Sequence, residues 1–312
     1  MRSARHQKKK RRLKKRAIFI LFSLFTVCIA GAAYFYSQYK DAFSKSNDAT
    51  AIAQTEYDFD GKKDKYGNTN ILLLGSDSRG EEHARTDTIM IAQYNSKNSK
   101  PKMVSIMRDS YVEIPGHGMN KINAAFAYGG PELLRQTLKE NFDIDLQYYA
   151  ILDFQGFVKM VDIAFPEGIE IDVEKRMSKK IGVTLEPGKQ MLDGKELLGY
   201  VRFRQDAIGD FGRVNRQQQA IKAISDQIVS VDGITKLPKI VGAVSPFVNT
   251  NIGVTDTIGI GKDILSGGST NIESLRIPID NGYENRRVDG VGAVLDLDLD
   301  KNKTALHEFL DQ

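Results

Sequence analysis

Asn70-Ile71-Leu72-Leu73-Leu74-Gly75-Ser76-Asp77-Ser78-Arg79 is followed, after a short loop, by Arg85-Thr86-Asp87-Thr88-Ile89-Met90-Ile91-Ala92-Gln93-Tyr94. The unbroken apolar run from Ile71 to Leu74 is the mark of a buried strand. Thr88–Tyr94 and Met103–Met107 read as further strands rich in β-formers. Working outward, Gly129-Gly130-Pro131 opens a helix with Leu133, Leu134 and Leu138 at helical spacing. Tyr148–Leu152 and Ile169–Val173 are expected strands on either side of a helix over Phe154–Ile163. Asp210–Val231 is expected as the longest helix, with Val214, Ile221, Ile224 and Ile228 on one face. Two shorter helices follow at Thr235–Val244 and Thr255–Leu265. Strands over Ser274–Ile279 and Val291–Leu299 and a helix over Lys303–Asp311 complete the chain, and the acidic run Asp296–Asp300 reads as a charge-protected edge strand. Strands alternating with helices predict one α/β domain (or α+β), a central mixed sheet flanked by helices.

Chemistry gathers where the predicted strands end, the usual place for sites in α/β folds. Asp77 and Asp87 bracket a loop that carries Arg79 and Arg85. Mg²⁺ takes one or two carboxylates together with substrate phosphate oxygens, and arginine forks suit phosphate. The pair therefore fits a metal–diphosphate site, although a solvated turn with local salt bridges would look the same. The third strand runs into Arg108-Asp109. Arg202 and Arg204 share a face if Tyr200–Arg204 is extended. Arg213 and Gln217 fall on one side of a helix that opens at Asp210, and a helix N-terminus attracts anions.

NILLLGSDSRG, RTDTIMIAQYN, VSIMRDSYVEIPG, KINAAFAYGG, LDFQGFVKMVD, LEPGKQMLDGKELLGYVRFR and DFGRVNRQQQ follow one another in that order. Over residues 69–231 this succession resembles the LytR-CpsA-Psr family of cell-wall glycopolymer transferases. The resemblance implies that Asp77 and Asp87 hold Mg²⁺ (or Mn²⁺). It implies that Arg85, Arg108, Arg202, Arg204 and Arg213 bind the diphosphate of a polyprenyl-linked glycan, with Arg79 and Gln217 close by. An apolar groove between sheet and helices would take the polyprenyl tail. Two departures stand out. Met107 replaces the family's proline before Arg-Asp, which is expected to loosen the backbone there, and Ile163–Gly168 replaces a Gly-Gly turn.

The termini and the charge balance set the context. Residues 1–16 hold ten Lys and Arg and no acid, which leaves 34 basic and 40 acidic residues in the remainder. Residues 17–36 carry no charge, long enough at about 1.5 Å per residue to cross a bilayer. The positive-inside rule then puts residues 1–16 in the cytoplasm and everything after the span outside the cell, the arrangement of a signal-anchor. Cleavage after Ala30-Gly31-Ala32 is the rival reading. Residues 37–68 read as an extracellular stalk with little structure of its own, and residues 69–312 as the catalytic domain with a C-terminal extension beyond the motifs. The single cysteine, Cys28, excludes an internal disulfide framework and a Cys-based zinc site.

The function implied is phosphotransfer of a glycopolymer, such as teichoic acid or a capsular polysaccharide, from a polyprenyl-diphosphate carrier to peptidoglycan. Arg108 would steady the transferring phosphoryl group, and Asp109 or Asp210 would receive the acceptor's proton. The alternatives are a hydrolase acting on the same carrier and a membrane-bound transcriptional attenuator. A basic tail abutting a membrane span is a topology signal, so no nucleic-acid partner is expected.

Overall fold

The computed structural model describes residues 31, 33–46, 55–76, 86–95, 101–230, 233–266 and 272–311. The cytoplasmic tail (1–16), most of the apolar span (17–30), and Asp77, Arg79 and Arg85 lie outside these residues. Among the described residues no helix is long and apolar enough to cross a membrane.

After helix α1 (33–46) come strands β1 (Thr69–Ser76), β2 (Thr86–Tyr94), β3 (Lys102–Ile106), β4 (Ser110–Ile114) and β5 (Gly118–Lys121). Then come α2 (Ile122–Phe142), β6 (Tyr148–Asp153), α3 (Phe154–Ala164), β7 (Ile169–Val173), β8 (Gly188–Leu192), α4 (Gly194–Arg202) and α5 (Asp210–Ser230). The C-terminal part supplies α6 (Gly233–Val244), β9 (Val248–Thr250), α7 (Val254–Ser266), β10 (Glu273–Ile277), β11 (Tyr283–Val288), β12 (Gly292–Leu297) and α8 (Leu299–Leu310).

The expected mixed sheet is present, in the order β10-β3-β2-β1-β6-β9. β1 runs parallel to β6 and antiparallel to β2, and β10 runs parallel to β3. Helices cover both faces. On one, Leu72, Leu74, Ile89, Ile91 and Val104 pack against Leu134, Leu138 and Phe142 of α2 and Leu306 of α8, all buried. On the other, α3, α4 and α5 lie over Leu73, Met90 and Leu152. A smaller core joins the β7–β8 pair to α3, α4 and α5 around Val161, Ile171, Leu197 and Tyr200.

The C-terminal extension is built into the sheets: β10 extends the main sheet, and β11 and β12 join β4 and β5 in a second one. Arg286 and Arg287 lie in β11, where Arg286 meets Asp296 at 2.6 Å. Several expectations are corrected. The acidic run does not form an edge, because β12 sits between β11 and β4. Asp298 instead caps α8 by accepting from the Lys301 N–H. Helix α2 begins at Ile122, before the Gly-Gly-Pro, and kinks at Gly129 and Gly130, where Gly130 has φ +63°. Met107 does not loosen its backbone. Its N–H, which proline would lack, donates to the Ile277 carbonyl at 2.8 Å and ties β3 to β10.

The segment read as a stalk is also structured where it is described. Residues 37–46 continue helix α1, which packs so closely on α6 that a Cβ at Gly242 would sit 2.3 Å from the Tyr39 carbonyl oxygen. Residues 55–68 lie against the domain. The Phe59 ring is 5.2 Å from Tyr149, Tyr57 meets Tyr149 edge-on, and the Lys62 N–H donates to Leu146 O at 2.8 Å. Sequence alone gave no periodic pattern here because the segment borrows its partners from α2 and β6. We predict that Phe59→Ala lowers the unfolding free energy by about 2 kcal/mol in urea titration. A loss under about 0.5 kcal/mol would return the segment to a solvated stalk.

Candidate active site

β1, β3, β6 and β10 all point the same way, and the site lies at their C-terminal ends. β2 enters at that same end through a bulge. Gly75 pairs with Thr88, but Ser76 pairs with Thr86, so Asp87 is the extra residue. Strict alternation would turn Asp87 away from Thr88. The bulge instead lets both line one cleft, a common use of bulges beside functional sites. Across the ladder at this end, Ser76 and Thr86 each bury a hydroxyl oxygen that has no hydrogen-bond partner among the described residues.

Arg108 follows β3 and is held by three carboxylates. It bonds Asp87, approaches Asp210 Oδ2 at 3.1 Å, and lies 3.6 Å from Asp109. Burial works against its charge, but Asp210 and Asp87 outweigh it and hold its pKa above the ordinary arginine value. Arg213, one turn into α5, is 8% exposed and lies 3.5 Å from the same Asp210 oxygen. Its Nη2 donates to the Asp87 carbonyl at 3.3 Å, while its Nε is buried with no acceptor among the described residues. Burial, and then the charge of Arg108, push Arg213 below the ordinary arginine value. An anion placed there would relieve both effects.

The structure brings Asp87, Arg108, Arg202, Arg204, Arg213 and Gln217 to one cleft of about 240 Å³. Arg202 and Arg204 arrive by a different route from the expected strand. Arg202 ends α4, and Phe203 turns the chain at φ −63°, ψ 130°. The Arg202 guanidinium stacks 4.3 Å from the Phe154 ring centre. Asp109 and Asp210 sit beside the cleft rather than in its lining, each committed to cations: Asp109 meets Lys121 Nζ at 2.7 Å, and Asp210 bridges Arg108 and Arg213.

Sequence reasoning missed Thr88, Phe154, Lys179, Lys180 and Gln205 in the lining. It also missed the role of Arg216, which shares its helix with Arg213 but points elsewhere. Arg216 is 3% exposed and bonds Glu174 at 2.8 Å, the Phe203 carbonyl at 2.8 Å, and Asp206. Asp206 also accepts from the Gly209 N–H at 2.9 Å, so Arg216 and Asp206 together clamp the turn that presents Arg204.

A second cavity of about 310 Å³ opens from the cleft. Thr88, Phe154, Val201 and Gln217 line both. Its walls are apolar: Leu73, Met90 and Leu152 from the sheet, and Phe157, Leu198 and Ile224 from the helices. This is the groove expected between sheet and helices. Its lining was invisible in sequence because it joins residues from seven elements.

A cationic cleft at strand ends, continuous with an apolar groove under three helices, defines an α/β protein built for an amphiphile with an anionic head. The chain belongs to the LytR_cpsA_psr family, which it matches over residues 33–308. It is 46% identical over 256 residues to the regulatory protein MsrR of Staphylococcus aureus, covering 82% of this chain and 78% of that one. It is 33% identical over 305 residues to TagT of Bacillus subtilis, a polyisoprenyl-teichoic acid–peptidoglycan teichoic acid transferase, covering 90% of each. A structure of TagT with bound octaprenyl pyrophosphate lipid superposes with a TM-score of 0.60 at 29% identity, covering 84% of this chain and 97% of that one.

The clamp yields a pH test. Burial raises the Asp206 carboxyl, but Arg216, the Gly209 N–H and Lys175 more than reverse this and hold it below its ordinary 3.8. A depressed carboxylate stabilises the fold above its unfolded pKa, and that stability is lost as pH falls through the folded value. Asp206→Asn should therefore cost roughly 3 kcal/mol at neutral pH. The gap from wild type should close only below pH 3.8, read by denaturant midpoints across pH. A gap independent of pH would mean that the lost contribution is packing, not charge.

Proposed function

We propose that this chain is a phosphotransferase that moves a glycopolymer from a polyprenyl-diphosphate carrier to peptidoglycan. The observation that carries this is the continuity of the arginine cleft with the apolar groove, because one ligand must satisfy both. A polyprenyl diphosphate does so: the tail enters the groove, and the diphosphate meets Arg108, Arg202, Arg204 and Arg213, including the buried Arg213 Nε. The MsrR name describes those proteins; the cleft itself suits a phosphorylated amphiphile.

In the reaction an acceptor hydroxyl oxygen attacks the glycan-bearing phosphorus and the P–O bond to polyprenyl phosphate breaks. The polymer becomes a phosphodiester on the acceptor, and the hydroxyl proton is released. The guanidinium groups, fixed before the reaction, stabilise charge on the transferring phosphoryl and on the leaving phosphate. Asp210 and Asp109 hold Arg108 in place, and Phe154 holds Arg202. Mg²⁺ on Asp87 and Asp77 is part of the proposal, and it would supply charge neutralisation at the diphosphate. It is supported by the half-buried carboxylate of Asp87, which the bulge presents to the cleft. The basic tail before the apolar run supports a single-pass anchor over residues 17–36, with the domain outside the cell.

The test is full-length protein in vesicles with polyprenyl-diphosphate glycan, Mg²⁺ and peptidoglycan oligomers, the product being read by mass spectrometry. A phosphodiester to peptidoglycan is expected. A free phosphorylated polymer would mean that water is the acceptor and the chain is a hydrolase. Arg108→Lys and Arg213→Lys should each lower transfer about 100-fold, because an ammonium cannot reproduce the planar fork. Arg287→Lys, on the exposed face of β11, should match wild type. Equal tolerance at all three would remove the arginine cluster from the mechanism.

A further inference from the structure

The cleft has two ends of opposite chemistry. Thr88, Phe154, Val201 and Gln217 lead into the apolar groove, while Lys179, Lys180, Arg204 and Gln205 stand exposed at the other end. A carrier whose tail fills the groove must lead its polymer out past this second end.

The basic residues between β7 and β8 divide into two kinds. Lys175 meets Asp206 at 3.3 Å and Arg176 meets Glu186 at 3.0 Å. Lys179 and Lys180, a few residues on, have no carboxylate partner among the described residues, and neither has Arg204. The connection that carries the lysines is pinned at its base, where Met177 and Leu185 exchange backbone hydrogen bonds of 2.9 and 2.8 Å. Lys180 takes a left-handed φ of 61°, uncommon for a residue with a side chain, where the chain turns back. Outside the basic tail the chain carries more acid than base, so a group of unpaired cations is a local feature.

We propose that Lys179 and Lys180 form a second anion subsite, next to the diphosphate arginines, that engages phosphate in the first units of the departing polymer. Polymers with phosphodiesters in their backbone are then preferred over neutral polysaccharides. Lysine fits this task. The diphosphate occupies one place and takes planar arginine forks, whereas a polymer phosphate varies in position and takes a flexible point charge. The proposal rests on the transferase reading of the cleft and adds to it a substrate class.

The experiment compares two ligands on the full-length protein: a polyprenyl-diphosphate disaccharide, and the same molecule extended by glycerol-phosphate units. Dissociation constants are measured at low and high salt for wild type, for the double variant Lys179→Gln/Lys180→Gln and for Lys179→Glu/Lys180→Glu. Wild type should favour the extended ligand about five- to tenfold at low salt, and less at high salt because the lysines are exposed. The ratio should fall to near one in the glutamine variant and below one in the glutamate variant. A ratio unchanged by both substitutions overturns the proposal, as does equal weakening of both ligands, which would place the lysines on the diphosphate. Wild type binding both ligands equally would remove the second subsite and leave the transferase reading standing. Binding of neither would remove both.

Discussion

One carboxylate oxygen organises this site. Asp210 Oδ2 lies 3.1 Å from Arg108 and 3.5 Å from Arg213, two guanidinium groups that reach the cleft from different segments. Both arginines are largely buried, where like charges repel strongly and water cannot screen them. Asp210 between them, and Asp87 bonded to Arg108 and reached by Arg213, let the two share the space. The main architectural choices serve this arrangement: β3 ends at the arginine, α5 begins at the aspartate, and a bulge turns Asp87 inward. The arrangement is still not saturated. The Arg213 Nε has no acceptor among the described residues, and burial, then the charge of Arg108, hold this arginine below its ordinary value.

Much of this was legible in the chain. Short apolar runs ending in Asp or Arg located the strand ends, and the order of the motifs brought Asp87, Arg108, Arg202, Arg204, Arg213 and Gln217 together before any coordinates. What failed had physical reasons. Arg202 and Arg204 are two residues apart, a strand period, yet they are joined by a helix end and a single extended residue that give the same convergence. Helical spacing could not show the part played by Arg216, because its partners Glu174 and Asp206 lie in segments distant along the chain or outside the helix. Residues 55–68 have no periodicity of their own, since their order comes from rings on α2 and β6.

Two smaller errors share a cause. Met107 was judged by what proline would have done, and the acidic run Asp296–Asp300 by its own alternation. In both cases the partner decides. The Met107 N–H is used by Ile277, and the strand that carries Asp296 is flanked by β4, each through a pairing distant in sequence. Long-range pairing of this kind is the part of a fold that local pattern conveys least.

Helix α5 changes character along one side. Arg213 and Gln217 face the cleft, while Gln217, Ala220, Ile221 and Ile224 face the groove. Head and tail of a bound lipid are therefore gauged against a single rigid rod, with about 5.4 Å between successive turns. On the transferase reading, the first isoprene units set where phosphorus comes to rest, and a bulky or saturated group there would shift it out of reach of the arginines. Units further along the tail exert no such leverage. On that reading strictness falls on the near end of the carrier, and the length of the far end is left free.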